Sequence, residues 1–123
     1  MTLVQAFSIG EKEVISLVGA GGKTTLLYAL GRELSAFRCG VILTTTTKIF
    51  EPVPSPFFLL FPSPELSAIK KWVAERVHRH QCLLIARERL PNGKHEGIFP
   101  EWAEEIFSIG HFMLRWYSLI LII

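Results

Sequence analysis

The chain has 123 residues, half of them apolar, and its 13 Lys and Arg against 11 acidic residues leave a net charge of +2. That length gives room for one domain, residues 1–123, and is short for two; the basic residues are scattered, which signals no nucleic-acid surface. The start MTLVQAFSIGEKE has no basic segment followed by an apolar run, so no signal peptide is read and a cytoplasmic protein is the expectation.

In chain order, Glu13 to Val18 is a short apolar run followed at once by glycine, the mark of a buried parallel strand. After Lys23, the positions Leu26, Leu27, Leu30, Leu34 and Phe37 recur at helical spacing, and Cys39-Gly40 is read as the helix end. GVILTTT then reads as a second strand, and strand, helix, strand implies a parallel pair. Pro52, Pro54 and Pro56 break both helix and strand and predict a surface loop near the end of the sheet where ligands bind. FFLLF is a third strand. Ser63-Pro64-Glu65 reads as a cap, a first-turn proline and an early acid, opening a helix with Leu66, Ile69, Val73 and Val77 on one face, to about His78.

QCLLIA is a further buried strand, RERLPNGKHEG a solvated polar turn or hairpin around Asn92-Gly93, and Pro100 starts a short helix to about Phe107. WYSLILII is read as a core strand; it is too short and too interrupted by His111 and Arg115 to span a bilayer. The alternation predicts an α/β fold with a parallel sheet and flanking helices, of P-loop NTPase type and incomplete at its C-terminus. Cys39 and Cys82 lack CxxC spacing and are read as buried reduced thiols. Trp72, Trp102 and Trp116 are read as packing groups, and His95 and His111 as surface or core residues. His78 and His80 have no partner at metal-ligand spacing.

The chemical signal is VGAGGKTTLL, Val18 to Leu27. The common phosphate-binding pattern GxxxxGK[ST] needs a glycine six residues before its lysine, where this chain has Leu17. A strand that turns through glycines into a helix still presents consecutive N–H groups to an anion, and the helix start adds about half a positive charge. Gly19, Ala20, Gly21 and Gly22 would cradle phosphate, Lys23 would neutralise the β and γ phosphates, Thr24 would offer its hydroxyl to Mg²⁺, and Thr25 completes the set. The competing reading is a turn that needs glycine for geometry alone.

TTTTK, Thr44 to Lys48, follows the second strand at the edge where open parallel sheets place ligands. Thr46, Thr47 and Lys48 are therefore candidate contacts to a nucleotide or its metal, although threonine also simply favours strands. Every acidic residue in the chain is a glutamate, so the GTPase base-reading motif NKxD is absent; this favours ATP over GTP without deciding between them.

GAGGKTT resembles the short loop GT[NK]GK[ST]T of the Mur ligases, which have glycine four residues before lysine. More broadly, ISLVGAGGKTTLLYALGRELS, VILTTTTKIFEP and LIARERLPNGKHEGIFPEW together resemble the YqeC family, described as accessory proteins for selenium-dependent molybdenum hydroxylases. The resemblance covers roughly residues 13 to 107. It implies a cytoplasmic ATP- or GTP-binding protein with a P-loop-type fold and Mg²⁺. Its expected partners are a molybdenum hydroxylase or the proteins that mature it, with no role for nucleic acid or membrane. Family members are longer and carry an acidic EADG-type motif after the next apolar strand, suited to Mg²⁺ and water control.

This chain stops at SLILII, where that motif would follow, and with no aspartate it cannot supply one elsewhere; a truncated gene or a shifted reading frame would explain both the early end and the tail's changed composition. Glu51 could substitute, although no spacing singles it out. A P-loop NTPase lacking that carboxylate is expected to bind Mg²⁺-nucleotide weakly and turn it over little. A ligase fragment forming an acyl phosphate and an interaction fragment that binds no nucleotide are the alternative readings.

Overall fold

Hydrophobic alternation along the strands places one helix on one side of a sheet and two on the other. The computed structural model describes residues 2, 3, 5, 9–19, 21–36, 38–52, 55–79, 81–111 and 114–123. Strand β1 (Lys12–Leu17) is followed by α1 (Lys23–Ser35), β2 (Val41–Thr45), β3 (Ile49–Phe50), β4 (Phe58–Pro62) and α2 (Leu66–Arg76). Then come β5 (Cys82–Ala86), β6 (Glu88–Arg89), β7 (Lys94–Glu96), α3 (Trp102–His111) and β8 (Tyr117–Ile122). Five strands form an all-parallel sheet in the order β1-β8-β2-β5-β4, and β3, β7 and β6 form a small antiparallel one. The α/β class with a parallel sheet is thus as expected.

Successive residues of a strand face opposite sides of the sheet. On one side Val41, Leu43, Cys82, Leu84, Ile120 and Ile122 meet Leu27, Leu30 and Leu34 of α1. On the other, Ile42, Leu83, Ile85, Leu119 and Leu121 meet Ile69 and Val73 of α2 and Ile106 of α3. The three leucines of α1 are wholly buried, so truncating any of them to alanine would cost about 2–5 kcal/mol.

Strand β8 is the core strand expected of WYSLILII. All six of its residues are buried, it pairs with β1 from Lys12↔Tyr117 to Leu17↔Ile122, and on its other edge with β2. A strand enclosed by two neighbours and covered on both faces has no use for charge, and its composition follows from that position.

Element ends moved where local signals were outweighed. Helix α1 stops at Ser35, with Ala36 as its C-cap, so Gly40 (φ 70°) serves the turn into β2 and does not cap the helix. Helix α2 has Glu65 as N-cap with no side-chain cap bond, and Ser63 Oγ instead accepts from the Glu65 N–H at 3.2 Å; Pro64 precedes the helix and the helix ends at Arg76. Helix α3 runs past Phe107 to His111 because Gly110 lets it lie against the buried ring of Tyr117, whose hydroxyl donates to the Ile106 carbonyl at 2.8 Å. Cys82 is buried but Cys39 is partly exposed, against expectation. Trp72 stacks on Phe61 and Trp102 meets Phe99 edge-on, whereas Trp116 lies at the surface beneath the Arg38 guanidinium. Phe37, Pro54 and His80 lie outside the described residues. No helix among the described residues is long and apolar enough to cross a membrane.

Candidate functional site

The turn from β1 into α1 is built by glycine. Gly19, Gly21 and Gly22 have φ of 105°, 72° and 70°, values that side-chain-bearing residues adopt only at a cost. A Cβ on any of them would meet nothing within 4 Å, so backbone conformation, and not crowding, requires glycine there. Gly22 is the N-cap of α1; no side chain caps the helix and its first turn holds no acidic residue. The first N–H groups and the positive end of the dipole therefore lack a side-chain cap and a nearby carboxylate on the helix. Ser16, Leu17, Val18, Gly21, Gly22, Lys23 and Leu26 line a cavity of about 300 Å³ at this point. Ala20 lies outside the described residues.

All strands of the main sheet are parallel, so the turn after β1 and the threonine run after β2 come out at the same edge. The end of β8 joins them: Lys23 Nζ donates to the Ile123 carbonyl at 3.4 Å, and the Thr46 N–H and hydroxyl donate to the Ile122 carbonyl at 2.9 and 3.2 Å. The run itself divides by role. Thr44 is buried and donates to the Ile85 carbonyl at 2.8 Å, a structural bond. Thr45 accepts from the Thr47 N–H at 3.0 Å, its hydroxyl pairs with that of Thr47 at 2.9 Å, and its carbonyl accepts from the Ile98 N–H at 2.8 Å. Thr46 is half-buried, while Thr47 and Lys48 are exposed; Lys48 lies 4.0 Å from Glu96.

RERLPNGKHEG takes the hairpin form of the two expected for it. It forms the β6–β7 hairpin around Asn92-Gly93, and β7 pairs with β3 through Ile49↔His95 and Phe50↔Lys94. Gly97 then passes so close beneath the threonine run that a Cβ there would lie 2.5 Å from the Thr45 oxygen, the Thr46 carbonyl carbon and the Thr47 oxygen. Sequence reasoning missed this residue because its φ is ordinary and only a distant segment crowds it. His95 is a core residue, with Nε2 donating to Glu51 Oε1 at 2.7 Å and Nδ1 buried without a hydrogen-bond partner among the described residues. The same Glu51 oxygen meets Arg89 Nε at 3.0 Å. Glu51 is thus engaged in holding the small sheet. His111, at the end of α3, is exposed.

For a phosphate the residues fit: left-handed glycines, an uncapped helix start and a lysine converge on one cavity. For Mg²⁺ the loop offers the half-buried Thr24 hydroxyl, and the cation's remaining ligands would be phosphate oxygens and water. Among the described residues no group of three His, Cys, Asp or Glu is placed to hold a metal ion.

A parallel sheet whose first strand turns through glycines into a helix, with the loop after β2 at the same edge one strand further along, defines an α/β protein of P-loop-like fold. The family model described as YqeC protein matches residues 15–121, and the chain belongs to the YqeC family. It is 56% identical over 39 residues to "Uncharacterized protein YqeC" of Escherichia coli (strain K12), a stretch that is 32% of this chain and 15% of that protein. No solved structure matches it.

Proposed function

We propose that the chain is a nucleotide-binding domain that takes ATP or GTP with Mg²⁺ at the loop from Gly19 to Thr25. The observation that carries this reading is the loop itself: three left-handed glycines leading into a helix whose start has neither a side-chain cap nor an acid in its first turn. Such an arrangement leaves the helix's first N–H donors and partial positive charge without a side-chain cap or a first-turn carboxylate, a place where a phosphate fits. Lys23 would reach the β and γ phosphates, Thr24 the metal, and Thr46, Thr47 and Lys48 the far side of the γ phosphate. Hydrolysis is not part of the proposal: the chain has no aspartate, and Glu51 is engaged with His95 and Arg89. Membership of the YqeC family supports the wider role of a cytoplasmic accessory protein in maturing a selenium-dependent molybdenum hydroxylase.

The test is equilibrium binding of ATP and GTP, with and without Mg²⁺, to the purified chain and to Lys23→Ala. Saturable binding weakened at least tenfold in the variant is the expected result. Absence of binding by a folded wild-type chain would overturn the reading and leave an interaction domain that does not use the loop.

A further inference from the structure

A second opening flanks α1 on a face next to the glycine loop. Thr25, Tyr28, Ala29 and Arg32 recur at three- and four-residue spacing along one side of the helix, and with Pro52 and Phe58 they line a cleft of about 260 Å³. It shares no lining residue with the cavity at Gly21, Gly22, Lys23 and Leu26. From Thr25 to Arg32 the helix rises about 10 Å, so the cleft runs from the end of the glycine loop away along the helix.

Its chemistry is uneven in a useful way. Tyr28 and Phe58 meet edge-on, with ring centroids 5.5 Å apart, and Pro52 adds a flat apolar surface. The Tyr28 ring is fixed, because its hydroxyl donates to the Phe50 carbonyl at 2.6 Å and so ties α1 to β3. Burial, with the nearby Glu51 charge second, holds that phenol well above its usual range, so it stays a neutral donor. Ala29 leaves room for an occupant to approach the helix. At the far end Arg32 is exposed and forms no ion pair among the described residues. The Glu51 carboxylate, which follows β3 and acts on the Tyr28 phenol, already meets Arg89. Aromatic and proline walls suit a planar ring, and an unpaired guanidinium suits a carboxylate or phosphate in bidentate contact.

We propose that this cleft is a binding site for a second small molecule, a planar aromatic ring bearing a phosphate or carboxylate group, which Tyr28, Pro52 and Phe58 enclose and Arg32 anchors. The occupant's inner end meets Thr25, where it approaches whatever the glycine loop holds. The cleft stands independently of the nucleotide reading; only that meeting rests on it.

The experiment is an NMR titration of the amide resonances with phenyl phosphate, inorganic phosphate and benzylamine. Phenyl phosphate is expected to shift Tyr28, Ala29 and Arg32, while inorganic phosphate shifts only the glycine loop, residues 19–25, and benzylamine shifts neither. Arg32→Gln, a change at an exposed position, is expected to weaken the cleft response to phenyl phosphate roughly tenfold and to leave the loop response unchanged. Lys23→Ala is expected to do the reverse, which separates failure of the cleft from failure of the nucleotide site. Equal binding of benzylamine, an unchanged response in Arg32→Gln, or shifts confined to the glycine loop would each overturn the proposal.

Discussion

Gly97→Ala tests whether the β6–β7 hairpin and the turn after it hold the threonine loop in place. The position has no left-handed φ, so alanine brings no backbone strain and the effect is one of space alone. Its Cβ would stand 2.5 Å from three backbone atoms of Thr45, Thr46 and Thr47, and reaching the 3.4 Å of ordinary contact requires a retreat of about 0.9 Å. None of those atoms is the end of a flexible side chain. The threonine run is also fastened to β8 through Thr46 and to Ile98 through the Thr45 carbonyl, so it cannot move without stretching those bonds. Overpacking of this kind costs about 1–3 kcal/mol, and at this chain length each kcal/mol lowers Tm by roughly 4 °C.

Urea denaturation should show a lower midpoint at unchanged m, and the amide resonances of Thr45 to Lys48 should move in the folded variant. Gly93→Ala is the matched control. Its φ of 81° makes alanine cost roughly 1–2 kcal/mol, but nothing lies within 4 Å of the added carbon, so the threonine amides should stay where they are. A Gly97→Ala protein with wild-type midpoint and unmoved threonine amides would refute the assigned role.

Two further outcomes are expected. Glu51→Ala removes the acceptor of the buried His95 Nε2–H and leaves both ring nitrogens unsatisfied, at a cost of about 1–3 kcal/mol; a change in urea stability below about 0.5 kcal/mol would contradict the structural role given to that pair. Burial raises the Cys82 thiol from its ordinary 9.0 to about 11, although the Ser35 hydroxyl and the Arg32 charge pull it the other way. Between those values the unfolded chain gives up the proton and the folded chain keeps it. The thiol's contribution to stability is therefore full below pH 9 and is lost as pH rises towards 11, by an amount on the order of 2–3 kcal/mol. Stability curves measured from pH 8 to 11 should fall less steeply in Cys82→Ala than in the wild-type chain, and parallel curves would show that the thiol titrates alike in both states.

Much of the candidate site could be read from the sequence because the signals are local. EVISLV ahead of GAGGKTT, and leucines at helical spacing after it, specify strand, turn and helix within one stretch, and the left-handed φ of Gly19, Gly21 and Gly22 is a demand that glycine meets by itself. The same holds for the hairpin at Asn92-Gly93 and for the alternation that gives each buried strand two apolar faces. Pairing partners are another matter. An apolar strand records that it is covered, not by what, and nothing within WYSLILII says that it belongs between β1 and β2, some 100 residues away in the case of β1.

By itself the sequence determined the class of the fold and the position of the phosphate-type loop, since both follow from residue spacing and backbone freedom over a few turns of chain. Tertiary structure alone decided what stands around that loop. Insertion of β8 brings Lys23 and Thr46 to one strand end; the pairing of β7 with β3 engages Glu51 with His95 and sets Gly97 beneath the threonines; the packing of Phe58 and Pro52 against α1 opens the cleft at Arg32. Each of these depends on segments far apart in the chain, whose contact free energy is gained only after the loops between them are closed.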